Sequence, residues 1–382
     1  MCLLRGSLQP VLISRHGSSR LLAPRLAQLL SAFDRCFGSG ISSALARKPA
    51  VPIQSGGVDV RLLLLCFFTV NLLAALARSQ EASHDMSGHN HGAQAQSSMP
   101  GMDMSHKSMD WMPSPHASSG TGWQPADTPG HLWMKSVSGW DLMAHGVIFV
   151  DYNQQGGPRG AGKAESVNWL MLMEQHPLGR GTILFRQMFS AESLTAPHPG
   201  FPELFQTGET YHGQPLVDHQ HPHNVFAELS LYYTRPLTEK ISWLFYGGPL
   251  GEPALGPVSF MHRASAAELP TAPLSHHLQD STHTSFGVVT TGLIVDHFRI
   301  EGSLFNGREP NEQRYGIQLA ALDSWSARLS VAPSARWTAQ YSYGRLEHPE
   351  ALEPGSERRQ SASVEYVRPL DRGSWATSAI WG

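Results

Sequence analysis

The residues with the plainest chemistry in this 382-residue chain are thioethers and imidazoles set where no core exists to hold them. Residues 84–116, HDMSGHNHGAQAQSSMPGMDMSHKSMDWMPSPH, carry six of the 13 Met and five of the 20 His. Met ordinarily fills irregular gaps in hydrophobic cores. Here Gly, Ser, Pro, Gln and His surround each one, and such a composition buries too little apolar surface to order itself. The expectation is a disordered tail whose exposed side chains bind metal. Thioether sulfur suits Cu(I), while imidazole suits Cu(II), Zn or Ni as well. The expected ligands are Met86, His89, His91, Met99, Met102, Met104, His106, Met109 and Met112. A low-complexity linker with incidental Met is the alternative.

A second constellation lies in GETYHGQPLVDHQHPHN, residues 208–224, where His219, His221 and His223 alternate with Gln and Pro. In an extended chain alternate side chains share one side, roughly 6.5 to 7 Å apart from Cα to Cα. That spacing lets neighbouring imidazoles converge on one ion, here Zn or Cu(II). Asp218, Glu209 and His212 are near enough in sequence to complete or orient such a site, as carboxylates behind metal ligands do. A weaker cluster, His262, His276, His277 and His283 with Met261, follows in the next long segment. The plainer reading makes these His hydrogen-bonding loop residues, or pore groups titrating near pH 6.5.

The elements that must position these residues read as all-β. WDLMAHGVIFVDYN (140–153) alternates loosely. SVNWLMLMEQH (166–176) sets Val167, Trp169, Met171 and Met173 on one face. A tight turn at Pro177-Leu178-Gly179-Arg180 leads into GTILFRQMF (181–189). NVFAELSLYYTR (224–235) puts Val225, Ala227, Leu229, Leu231 and Tyr233 opposite Asn224, Glu228, Ser230 and Thr234. Period-two patterning of this kind marks strands. Segments 232–247, 329–344 and 364–381 each run an aromatic or aliphatic strand through a few Pro, Ser, Asp or Lys residues and back, as short hairpins do. Long segments, notably 190–223 and 248–280, separate them. Short turns alternating with long loops, with Trp and Tyr near strand ends, predict an antiparallel transmembrane β-barrel of about twelve or more strands over 138–382. Alternate long loops of a barrel share one mouth, which would bring the two His clusters together. A soluble β-sandwich shows similar strands and turns and is the competing fold.

Location follows from the N-terminal half. Residues 61–77, RLLLLCFFTVNLLAALA, have a basic start, an apolar run and a small-x-small close at Ala75-Leu76-Ala77, as a signal peptide does. The run is short of the roughly 20 apolar residues a spanning helix needs. Residues 1–60 precede it and read as an over-extended gene start, and residues 78–137 as the disordered tail. The final Ala379-Ile380-Trp381-Gly382 falls in a strand pattern and suggests C-terminal truncation. Cys2, Cys36 and Cys66 all precede the expected cleavage. The exported chain is therefore left without thiolate ligands or disulfides, and any soft ligand must be Met. A net charge of −3 offers nothing to nucleic acid, and no Gly-rich phosphate loop is visible.

A Met/His-rich exported tail such as MPGMDMSHKSMDWM followed by a β-barrel resembles the outer-membrane proteins of bacterial copper-resistance systems, of the copper-resistance protein B type. ETYHGQPLVDHQHPHN also resembles a signature of bacterial outer-membrane proteins from copper-handling contexts. The resemblance implies copper tolerance at the cell envelope by sequestration or export. It implies a barrel in the lipid of the bacterial outer membrane, a tail in the periplasm and periplasmic copper proteins as partners. It carries over as ligands the tail Met and His alone. A general porin is the alternative, followed by an envelope metallohydrolase built on the 219–223 His. No Gly-x-Ser-x-Gly elbow is present, and the expectation is a protein that is not an enzyme.

Overall fold

The structure, a computed structural model, describes residues 114–130, 132–196, 199–274 and 276–382. The chain opens with β1 (Trp133–Val137) and β2 (Trp140–Ile148), then β3 (Asp151–Gln154) and β4 (Gly162–Glu165). Next come β5 (Asn168–Leu178), β6 (Gly181–Phe189), a short helix α1 (Glu192–Thr195), β7 (Phe201–Tyr211) and β8 (Gln214–Gln220). After β9 (Phe226–Pro236) and β10 (Ile241–Leu250) follow α2 (His276–Gln279) and a 3-10 turn, Ser281–His283. The chain ends with β11 (Val288–Val295), β12 (Phe298–Phe305), β13 (Ser324–Ser334), β14 (Trp337–Glu347), β15 (Ser356–Pro369) and β16 (Ser374–Trp381).

Twelve of these strands form one antiparallel sheet in chain order, β1-β2-β5-β6-β9-β10-β11-β12-β13-β14-β15-β16. The remaining four make two side hairpins, β3-β4 and β7-β8. Because the sheet is a meander, its connections sort by edge. One edge carries short turns, at 138–139, 179–180, 237–240, 296–297, 335–336 and 370–373. The other carries the long connections 149–167, 190–225, 251–287, 306–323 and 348–355. The tight turn expected at 177–180 is narrower than that, since Leu178 already pairs with Gly181 across Gly179-Arg180. At the first turn Ser138 and Gly139 both take positive φ, 51° and 80°, as a two-residue hairpin with right-handed strand twist requires.

The strands alternate as expected, but on β12 and β13 the polar face is the buried one. On β12, Arg299, Glu301 and Ser303 are buried while Phe298, Ile300 and Leu304 are exposed. On β13, Ser324, Ser326, Arg328 and Ser330 are buried while Trp325 and Leu329 are exposed. Arg299 is 1% exposed and Ile300 beside it 59%, the reverse of a sheet covering an apolar core. Burying a charge costs several kcal/mol unless it is paired, roughly. Here the pairs are present: Arg299 and Arg328 reach Glu301 at 3.0 and 2.9 Å, and Arg186 reaches Glu228 at 3.3 Å.

Two segments cover this polar face. From 114–128, the carbonyls of Ser118 and Gly120 accept from Arg186, Thr121 Oγ1 accepts from Arg328 at 2.8 Å, and Trp123 lies 4.6 Å beneath the Arg299 guanidinium. From 251–287, the amides of Ala254 and Gly256 donate to Ser303 and Ser342 at 2.7 and 2.9 Å. The expectation of a disordered tail therefore does not hold over 114–128 and 133–137. Residues 114–128 are packed against the sheet, and β1 starts at Trp133, because the wall's Arg side chains need the carbonyl and hydroxyl acceptors that segment brings. The long segment 190–223 is likewise not a plain loop, since it carries α1 and the β7-β8 hairpin.

Candidate metal centre

Three long connections converge at one edge of the sheet. The β7-β8 hairpin delivers Glu209, His221 and His223; α2 and the 3-10 turn deliver His276, His277, Asp280 and His283; and 306–323 delivers Glu309 and Arg314. Local sequence explains each placement. Pro222 cannot donate to a ladder, so β8 stops at Gln220 and His221 and His223 turn inward, both buried. Register slips between Thr207 and Thr210, and Glu209 sits in the slip at φ 57°. Such a bulge re-aims a side chain, here a carboxylate that meets His221 at 3.0 Å and Arg314 at 2.5 Å. Gly208, at φ +127°, passes so close to His277 that a Cβ there would lie 2.2 Å from its ring. Asp280 stands four residues beyond His276, one helical turn on, and its Oδ1 lies 2.5 Å from His276 Nδ1.

The result is a set of five imidazoles, three of which donate to a carboxylate. His221 Nε2 donates to Glu209 Oε1, His276 Nδ1 to Asp280 Oδ1, and His223 Nδ1 to Glu192 Oε2 at 2.7 Å. His277 Nδ1 lies 3.7 Å from Glu309 Oε1. His283 Nδ1 donates to the Asp280 carbonyl at 2.6 Å, and its Nε2 faces His223 Nε2 at 3.3 Å. A carboxylate on one ring nitrogen fixes the tautomer and aims the other nitrogen's lone pair, the arrangement behind most metal-ligating His. The outward nitrogens of His276 and His277, both Nε2, are buried and have no hydrogen-bond partner. One ligand atom each from His221, His276 and His277 lies within 4.8 Å of the other two. Beside them is a small cavity of about 10 Å³, room for about one water-sized centre.

Electrostatics favour the ligand form. Burial drives His221 down to about 3, against the pull of Glu209, so its ring is neutral. Burial also lowers His276 and His277, and takes His283 well below its ordinary value. Burial would raise Glu209, but His221 and Arg314 outweigh it and hold that carboxylate ionised. Burial, then the charge of Glu209, pushes Glu309 up to about 8. His223 is the exception: burial opposes its charge, but Glu192 prevails and raises it. Three neutral imidazoles beside an acid that carries an unrelieved proton form a pocket that a cation would complete.

The sequence-predicted ligands divide. His221 and His223 are brought together with His276, His277 and His283, so the two His segments do share one edge. His219 stands apart, half-buried on β8 with its Nδ1 3.1 Å from the Val217 carbonyl. Strand alternation ends at Gln220, so the three His do not project together. Asp218 pairs with Arg159 at 2.7 Å, and His212 stacks on Tyr211 at the hairpin tip. His262 leaves this group for β2, where it lies 5.6 Å from the His145 ring. The nine tail ligands, Met86, His89, His91, Met99, Met102, Met104, His106, Met109 and Met112, lie outside the described residues, as do residues 1–60 and 61–77. Sequence reading missed Glu192, Asp280, Glu309 and Arg314. For Asp280 the helical spacing HHLQD was a usable signal; Glu192, 31 residues from His223, had none. Comparison with protein families, with curated proteins and with solved structures finds no match for this chain.

Proposed function

We propose that this chain is a β-barrel of the bacterial outer membrane that holds a metal ion where its long connections meet, and that it serves copper tolerance by sequestration or export. The carrying observation is the set of carboxylate-backed imidazoles with two buried Nε2 atoms left unpartnered. Unpaired buried polar atoms cost about 1–3 kcal/mol each, and an ion bound to them removes that cost. Three neutral His, two of them with carboxylates behind them, suit Cu(II) or Zn.

Closure of the sheet into a barrel is supported by its two ends meeting one segment. His145 on β2 lies 5.6 Å from the ring of His262, and Ser378 on β16 bonds Ser265 at 2.8 Å. Three residues of chain span at most about 10 Å, so β2 and β16 touch neighbouring points of that segment, in keeping with a closed sheet. Lipid contact is supported by the exposed apolar face. Trp337 and Trp375 lie near the short-turn edge and Trp325 and Trp381 near the long one, with Leu293, Ile300 and Leu329 between. Aromatic girdles around an apolar band are how barrels meet both membrane interfaces. Among the described residues no helix is long and apolar enough to cross a membrane. An open solute channel is the weaker reading, because residues 114–128 and 251–287 occupy the polar face that a pore would leave to water.

The test is a titration of the folded chain with Zn(II) and Cu(II) in detergent, beside a His276→Gln/His277→Gln variant. One tight equivalent lost in the variant is expected; the same stoichiometry in both would remove the centre. For the tail, Cu(I) capture by Met86, Met99, Met102, Met104, Met109 and Met112 should persist at pH 5, because thioethers do not titrate there. Replacing all six with Leu should then weaken Cu(I) binding, and unchanged affinity would make the tail a linker.

A further inference from the structure

We propose that the wall formed by β2, β5 and β6 carries a second site, built from His145, Met171, Met188 and His262, that takes a soft monovalent cation such as Cu(I) or Ag(I). It shares no residue with the carboxylate-backed centre and stands on separate observations. Register sets its frame: His145 pairs with Met171 and Met171 with Met188, while Met143 pairs with Met173 in the next row. Directly opposed side chains on one sheet face sit about 4.5–5.5 Å apart at Cβ. All four Met are buried, and Met261 joins them from the 251–287 connection.

Around it the inward face mixes Arg, Glu, Ser and Thr, such as Glu228, Arg299 and Ser326, with buried apolar side chains such as Leu184, Leu244 and Phe305. What sets this block apart within the buried apolar cluster is that its side chains are thioethers and that imidazoles face them. His145 Nε2 lies 3.3 Å from Met171 Sδ, so an imidazole nitrogen and a thioether sulfur already face each other. His262 closes the patch from the covering segment, 5.6 Å from the His145 ring and 4.8 Å from that of Trp169. Among the described residues the His262 side chain makes no hydrogen bond, its backbone amide alone donating to the Ser259 carbonyl, and neither His145 nor His262 has a carboxylate partner there. That separates them from His221, His223, His276 and His277.

The ligand chemistry selects the cation. Nitrogen and sulfur lone pairs without anionic groups suit a d10 monovalent ion and offer little to Zn or a hard cation. The nearest fixed charge, Arg186, is offset by Glu228 at 3.3 Å, so a single added charge is tolerated better than two. Burial, then His145 and Arg186, keeps His262 neutral and available as a ligand. The Trp169 ring, 5.1 Å from His145, adds a π system to the same patch.

The test uses the full chain with its six tail Met replaced by Leu, so that the wall alone can supply thioethers. Anaerobic competition against a chromophoric Cu(I) chelator should show one equivalent retained. Adding Met171→Leu and Met188→Leu, substitutions that conserve core volume, should weaken that equivalent at least a hundredfold and leave the Zn titration unchanged. Should the double variant fail to fold, His262→Gln on the connection carries the same expectation without touching the wall. An equivalent that survives these changes, or none retained before them, overturns the site.

Discussion

At the scale of single residues, the candidate centre depends on which nitrogen of each His holds the proton. Glu209 sets this for His221, and Arg314 keeps Glu209 ionised. Glu209→Gln should therefore weaken Zn(II) binding by about 10- to 100-fold, the usual loss when a carboxylate behind a ligand is removed. Competition titration measures it, and wild-type affinity would detach Glu209 from the centre. The pH dependence follows from the same groups. Ordinary His protonate from about pH 6.5 downwards, and three of them would give a steep loss of affinity, towards three protons per ion. Burial holds His221 near 3, so its ring stays neutral through that range, and burial lowers His276 and His277, so they compete with the ion less than ordinary His would. The acid at Glu309, about 8, has one proton to release. Affinity between pH 6 and 5 should fall by no more than about tenfold; a slope near three protons would show imidazoles with ordinary basicity.

At the scale of elements, the β7-β8 hairpin is the arm that brings a carboxylate and two imidazoles to α2. Its approach depends on Gly208, because a side chain there meets the His277 ring and the backbone lies at φ +127°. Gly208→Ala should cost the ion site more than the sheet. Metal affinity should drop at least tenfold while the amide exchange of β9 to β15 stays slow, since none of those strands pairs with β7. Loss of exchange protection across the whole sheet would instead make the hairpin part of its stability. The long connections have a second task. The sheet buries Arg186, Arg299 and Arg328, and segments 114–128 and 251–287 supply acceptors that the strands do not.

At the scale of the whole molecule, the reversed faces decide where the protein can be placed. Ile300 is 59% exposed at mid-strand on β12, with Leu293 its cross-strand partner on β11. If that face meets lipid, Ile300→Arg should destabilise the protein in bilayers by about 2–4 kcal/mol, the cost of a charge near the midplane. Denaturant unfolding from vesicles measures it. A loss below about 0.5 kcal/mol, the usual range for a water-facing surface change, would place the face in water.

Strand identity was legible in the sequence. Period-two runs such as SVNWLMLMEQH and NVFAELSLYYTR became β5 and β9 nearly at the expected bounds, and the hairpin turns fell where Pro, Ser and Asp cluster. Alternation and turn chemistry are local properties, carried by residues a few positions apart. The pairing of His221 with His276 and His277, the carboxylates behind them and the Met block opposite His145 were not legible. Those groups are separated by tens of residues, and only sheet register and the folding of long connections across its edge bring them together. Which face is buried was also left open by alternation, since period two separates two faces without ranking them. The sequence by itself determined that this chain is made of strands rich in potential ligands. Tertiary structure decided which ligands meet, because burial and through-space distance are set by contacts that no local pattern encodes.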